Sequence, residues 1–154
     1  MRIRIEVSDD LAEDEVLIRC GRMDESIRKI EQLLLAQSQS EPKITFYKQN
    51  REFYFPLDTV LFFETDGEHV YAHTADDAFL TKYRLYELEQ ILPRQFVRAA
   101  KSTIVNSRRI YSITRNLASS SLVQFADSHK QIYASRYYYR ELRRRLKERG
   151  THET

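Results

Sequence analysis

Apolar residues recur along this chain with a period of two, then with the period of a helix, and then again mostly with a period of two. Arg2-Ile3-Arg4-Ile5-Glu6-Val7 alternates polar and apolar, the pattern of a half-buried strand. Ser8-Asp9-Asp10 supplies turn chemistry, and Glu15-Val16-Leu17-Ile18-Arg19 reads as a second strand. Met23, Ile27, Ile30, Leu33 and Leu34 then fall at helical spacing behind Asp24, a natural N-cap. This predicts a helix of about 14 residues, an ordinary length in a globular protein. One helix on two short strands buries little, so its apolar stripe must meet the rest of the chain or a second copy. Gln37-Ser38-Gln39-Ser40-Glu41-Pro42 is polar, ends in proline and reads as a linker. Residues 1–41 are thus expected to form a small α+β extension.

From Lys43 onward the pattern is that of a β protein. Ile44-Thr45-Phe46-Tyr47 and Phe53-Tyr54-Phe55 flank a turn at Gln49-Asn50-Arg51. Val60-Leu61-Phe62-Phe63-Glu64 leads through Asp66-Gly67, a hairpin pair, into His69-Val70-Tyr71-Ala72-His73-Thr74. Phe79-Leu80-Thr81 follows. Leu85, Leu88, Ile91 and Leu92 have helical spacing and are stopped by Pro93. Ile104-Val105, Ile110 to Thr114, Leu122 to Phe125 and Gln131 to Ala134 read as further strands, with turns at 116–121 and at Asp127-Ser128. A last helix is expected over about 137–148, with Leu142 and Leu146 inward and a basic outer face.

Composition agrees with β structure: ten Tyr and eight Phe, no Trp and only three Gly. Cys20 is the sole cysteine, which excludes an internal disulfide; placed in an apolar strand, it reads as an inert buried thiol. Charged Arg2, Arg4 and Glu6 break any signal-peptide run, and no stretch approaches the ~20 apolar residues of a membrane-spanning helix. A soluble, cytoplasmic protein is expected.

Charge changes the picture more. Residues 1–41 carry 6 basic and 10 acidic residues, a net of −4, and residues 42–92 carry 5 and 9, again −4. Residues 93–149 carry 14 and 3, a net of +11. A basic third on an acidic remainder suits a polyanion-binding face, because Lys and Arg release counterions from phosphates. A solvated basic helix would give the same count, so charge by itself leaves both readings open.

Enzyme chemistry finds little support. The chain has no glycine-rich phosphate loop and no clustered cysteines. His69 and His73 sit four apart in a strand, ~13 Å, too far to grip one metal ion together. No cofactor and no small-molecule substrate are expected.

The informative segment is Phe96-Val97-Arg98-Ala99-Ala100-Lys101-Ser102-Thr103-Ile104-Val105-Asn106, where cations and hydroxyls interleave with strand formers. Arg98 and Lys101 can donate to phosphates or base edges, and Ser102 and Thr103 are neutral donors. The run Arg98-x-x-Lys101-Ser102-x-Ile104-Val105-Asn106-x-x-x-Ile110 resembles the signature of the LytTR DNA-binding domain. Three further segments match in order: the strand at 60–64 followed by His69, the helix at 85–92, and Ala134-Ser135-Arg136 before the basic terminal helix. The resemblance covers about residues 43–147 and makes 42–149 a LytTR-like DNA-binding domain.

That resemblance implies a mainly β fold of about ten short strands in three antiparallel sheets, with a short helix and a C-terminal helix. It implies DNA read by loop side chains entering two successive major grooves. By position, the contacts would be His69, Lys101 and Ser102, and Arg136; Tyr137 and Arg140 follow on the same segment. Arg108 and Arg109 join on grounds of charge. Two departures stand out: Ala100 replaces a histidine common in the family, and Tyr137 replaces a second basic residue. His69 could instead bond within its hairpin, and Arg136 could pair with Glu141. The remaining cations of the last helix read chiefly as a solvated face.

The leading expectation is a sequence-specific transcription regulator binding double-stranded DNA. The competing one is a protein-binding module whose basic face docks an acidic partner. The helical stripe in 1–41 suggests a homodimer, and the family resemblance allows a small membrane protein as an inhibitory partner.

Overall fold

The computed structural model describes residues 1–39, 42–115 and 120–152. Most of the turn expected at 116–121, and Ser40 and Glu41 of the linker, lie outside the described residues. The chain divides into two compact units, Met1–Ser40 and Glu41–Thr154.

In the first unit, helix α1 spans Glu25–Gln39. Asp24 caps it: its carboxylate accepts from the Ile27 N–H at 3.0 Å and from the Ser26 hydroxyl at 2.7 Å. The Ile27 bond, then the Ser26 bond, hold its carboxyl below the ordinary aspartate value. Of the expected stripe, Ile27 and Ile30 are half-buried, whereas Met23, Leu33 and Leu34 are exposed.

The two strands expected before α1 do not form. Residues 1–24 contain no strand, and Ile3, Ile5 and Val7 are 85%, 86% and 92% exposed. Alternation specifies which face a strand would bury, but a strand also needs a neighbour for its backbone, and these segments do not pair. Cys20 is correspondingly exposed rather than buried.

Among its described residues the second unit holds ten strands and two α-helices. The strands are β1 Phe46–Lys48, β2 Arg51–Phe53, β3 Phe62–Asp66, β4 His69–His73, β5 Ala78–Thr81, β6 Phe96–Ala100, β7 Thr103–Asn106, β8 Ile110–Arg115, β9 Ser120–Phe125 and β10 Gln131–Ser135. Helix α2 is Leu85–Ile91 and α3 is Arg136–His152. All pairings are antiparallel, in a seven-stranded sheet ordered β2-β1-β5-β4-β3-β7-β6 and a three-stranded sheet ordered β10-β9-β8. There are two sheets rather than three, because the β1–β2 hairpin joins β5 through the rung Tyr47↔Leu80.

Two cores explain the continuous apolar runs. Phe63, Ile104 and Phe96 point to one side, packing with Leu85 and Leu88 of α2 and with Phe46 and Phe79. Their neighbours Phe62, Val105 and Val97 point to the other side, meeting Val123 and Phe125 of β9, Ile132 of β10 and Leu142 of α3. Strands β3, β6 and β7 are therefore covered on both faces, which is why their sequences lack alternation. Each fully buried Phe or Ile contributes roughly 1.5–3 kcal/mol of transfer free energy.

Turn chemistry sets the strand ends. Gln49 and Asn50 both take positive φ, 51° and 62°, as a type I′ turn between the paired Lys48 and Arg51 requires. The β3–β4 turn is Gly67-Glu68, between the paired Asp66 and His69, one residue later than Asp66-Gly67. Gly67 (φ 65°) takes its first position, where a type II′ turn favours glycine. In α2 the Glu87 carboxylate reaches back to accept from the Arg84 N–H at 3.0 Å, securing the helix start.

Candidate nucleic-acid interface

Sheet order places two hairpin tips side by side. Strand β3 is hydrogen-bonded to β4 on one edge and to β7 on the other. Glu64 pairs with Thr103, so the β6–β7 turn carrying Lys101 and Ser102 lies against the β3 end that turns into His69. The Thr65 N–H donates to the Ser102 carbonyl at 2.9 Å, tying the two tips together. Lys101, Ser102 and His69 are all exposed. His69 meets the edge of the Tyr71 ring at 6.5 Å between centroids. Beneath these tips Glu64 is partly buried; desolvation, then the charge of Asp66, hold its carboxyl above the ordinary glutamate value.

Helix α3 packs along β6. Its later turns are fixed at the start of that strand: Arg94 pairs with Glu148 at 3.3 Å. Arg149 donates to the Ser107 and Ile110 carbonyls at 2.7 and 3.0 Å. Before them Leu142 enters the core that holds Val97 and Ala99 of β6; the first turn of α3 follows directly on β10. That first turn presents Arg136, Tyr137 and Arg140, all exposed, with the Tyr137 ring 85% exposed and set edge-on to Tyr138 at 4.9 Å.

Glu141, the suspected partner of Arg136, is taken by Arg144 at 2.9 Å and Arg145 at 3.1 Å. Those bonds outweigh its desolvation and hold the carboxyl below its usual value. Arg136 and Arg140 have no ion pair or hydrogen bond with another side chain among the described residues. Charges without internal partners are available to a polyanion.

Arg98 is differently occupied. Its side chain is only 19% exposed and pairs with Glu89 of α2 at 3.2 Å. Its Nε donates to the Ala100 carbonyl at 2.9 Å, and its other amine donates to the Lys101 carbonyl. The expected DNA donor is engaged inside the protein.

Arg108 and Arg109 stand apart from Lys101. They occupy a single 3-10 turn after β7, whereas Lys101 precedes that strand. The Asn106 side-chain amide oxygen, Oδ1, accepts from the Arg108 N–H at 3.1 Å. Arg109 donates to the Asp58 carbonyl at 2.6 Å and to its carboxylate at 3.1 Å. Asn106 itself is fully buried; its amide donates to the Val60 carbonyl at 3.0 Å and to Asp58 at 3.2 Å. The residue closing the Ile-Val-Asn signature is thus a structural hub, and only its burial beside Asp58 reveals that.

The family model for the LytTr DNA-binding domain matches residues 50–147. The chain belongs to the LytTR family. A relative from Staphylococcus aureus strain NCTC 8325, named as an HTH-type transcriptional regulator, is 26% identical over 146 residues, covering 95% of this chain and 98% of its own length. Another from strain MSSA476 is 34% identical over 90 residues, 58% of this chain and 60% of that relative. The LytTr DNA-binding domain of a Bacillus cereus protein superposes with a TM-score of 0.62 at 24% identity, covering 68% of this chain and 97% of that domain. The helix-turn-helix of the relatives' names has no counterpart among the described residues of this LytTR chain, where five strands separate α2 from α3. No helix among those residues is long and apolar enough to cross a membrane.

Proposed function

We propose that this LytTR-family regulator reads specific DNA sequences by placing two adjacent surfaces in successive major grooves. One is the paired tips bearing His69, Lys101 and Ser102; the other is the first turn of α3 with Arg136, Tyr137 and Arg140. The observation that carries this reading is that Lys101, Arg136 and Arg140 are exposed and that, among the described residues, their charged groups make no ion pair or hydrogen bond. Lys101 and Ser102 have the chemistry to donate to base edges, and Arg136 and Arg140 to hold phosphates.

Binding of the full chain to a duplex selected from a random library, titrated against salt, tests this. Lys101→Ala and Arg136→Ala should each weaken binding while leaving the thermal melt within about a degree, as for surface changes. Loss of a base contact costs roughly 1–3 kcal/mol, whereas loss of a phosphate contact lowers the salt slope by about one. Unchanged binding by both variants removes the assignment.

The first unit serves, on this reading, as a homodimerisation element that sets two DNA-binding units on neighbouring half-sites. The exposed Leu33 and Leu34 of α1, with Met23 just before its cap, support it, because an apolar stripe of that kind is stabilised only when covered. Light scattering decides: a particle of 18.4 kDa, the monomer mass, at working concentration rejects the dimer.

A further inference from the structure

We propose that Arg98 is a positioning residue for DNA reading, and that the β-bulge it closes sets where Lys101 and Ser102 stand. The proposal rests on the reading of the Lys101 turn as a DNA contact and adds how that turn is aimed.

Strands β6 and β7 pair regularly from Phe96↔Asn106 to Arg98↔Ile104, then jump to Ala100↔Thr103. Ala99 is the extra residue. Its methyl is fully buried in the core shared with Val97 and Val105, so the bulge is pinned from one side. A bulge bends its strand and re-aims the residues beyond it, here Lys101 and Ser102. It also disturbs the regular ladder, and Arg98 bonds the next two carbonyls past the bulge: Nε donates to the Ala100 carbonyl at 2.9 Å and a terminal amine to the Lys101 carbonyl. The second terminal amine is anchored by Glu89 on α2 at 3.2 Å. The planar fork thus spans helix, bulge and turn with three donors in fixed geometry, which an ammonium cannot reproduce. From the far side, the Thr65 N–H holds the Ser102 carbonyl at 2.9 Å. The turn is clamped between Arg98 and β3.

Arg98→Lys and Glu89→Gln test this against a plain electrostatic role, with Lys101→Ala as reference. In Arg98→Lys the positive charge remains but the fork is gone. Affinity for a selected duplex should fall roughly tenfold, the scale of one specific contact, while random-duplex binding stays within about twofold. The Thr65 amide should exchange faster with solvent. Glu89→Gln removes a negative charge from a DNA-binding protein, so electrostatics alone predicts tighter binding; the clamp predicts weaker binding to the selected duplex. Wild-type affinity or wild-type Thr65 exchange in Arg98→Lys overturns the proposal, as does an equal loss on both duplexes or tighter binding by Glu89→Gln. If Lys101→Ala binds as the wild type does, the DNA-face reading fails, and Thr65 exchange in Arg98→Lys still decides the clamp.

Discussion

Strand β7 has a basic cluster at each end, and the two are built for different tasks. Before it stands Lys101, exposed on the turn beside the hairpin tip that carries His69. After it stand Arg108 and Arg109, where Asp58 and the buried Asn106 form a bonded knot with Arg109 and the Arg108 backbone. Similar positive charge in the sequence therefore conceals different bonding. At one end the Lys101 ammonium makes no ion pair or hydrogen bond among the described residues. At the other, the guanidinium of Arg109 bonds the half-buried carbonyl and carboxylate of Asp58 and ties the loop before β3 to the start of β8. What separates the two is the presence of Asp58, placed there by a turn some fifty residues earlier in the chain.

Breaking the knot should have the largest effect. Asn106→Ala empties a fully buried position, leaves the Val60 carbonyl without its side-chain donor and removes one of the donors to Asp58, and a cost of roughly 2–4 kcal/mol is expected. Urea denaturation should show it as a lower midpoint with an unchanged slope. DNA affinity measured on the folded fraction should remain near wild type.

Lys101→Ala should do the reverse: no shift in the melt and a loss of about 1–3 kcal/mol in affinity for a selected duplex. A stability loss as large as that of Asn106→Ala would erase the distinction between the two ends.

Arg109→Ala is the sharper test of the knot. Its ion pair with Asp58 is partly exposed, so its removal should cost only about 0.5–1.5 kcal/mol, mostly through the bond to the Asp58 carbonyl. The salt slope of DNA binding should not change; a decrease of about one would mean that Arg109 holds a phosphate after all.

A further test concerns pH and strand β4. His73 stacks on Phe62 at 4.4 Å, and its Nδ1 accepts from the Lys130 ammonium at 3.2 Å. Burial, then the Lys130 charge, lower its pKa to about 4. The imidazole is neutral in the folded chain where the unfolded chain would already bind a proton. Stability is therefore fully present above pH 6.5 and is lost as pH falls from there toward 4. His73→Phe keeps the stack and removes the titration, so its melt should decline less than the wild type's across that window. Parallel profiles would show that His73 does not titrate there.

Much of this architecture is readable from residue patterns. Asp24 caps α1 as its position before the periodic run predicts, and Leu85 and Leu88 are the buried face of α2. Asn50 and Gly67 mark turns because few other residues tolerate their positive φ. The readings that fail do so for lack of information about neighbours. Ile3, Ile5 and Val7 alternate like a strand and find no partner, and Cys20 joins them in solvent. Arg98 looks like Lys101 in the sequence, yet it points under the turn toward Glu89. Arg136 looks able to pair with Glu141, but one helical turn brings Arg144 and Arg145 there instead.

The sequence by itself determines the local choices: where strands turn, where helices begin, which stretch carries the positive charge, and the family signature. These arise from backbone sterics and periodicity, which act over a few residues. Only the tertiary structure decides which cations are neutralised, because that depends on carboxylates and carbonyls brought from distant segments. Asp58 meets Arg109 and Asn106, and Glu89 meets Arg98, only after the sheet has closed around them. Coulomb and hydrogen-bond energies depend on separation in space, and separation along the chain does not report it.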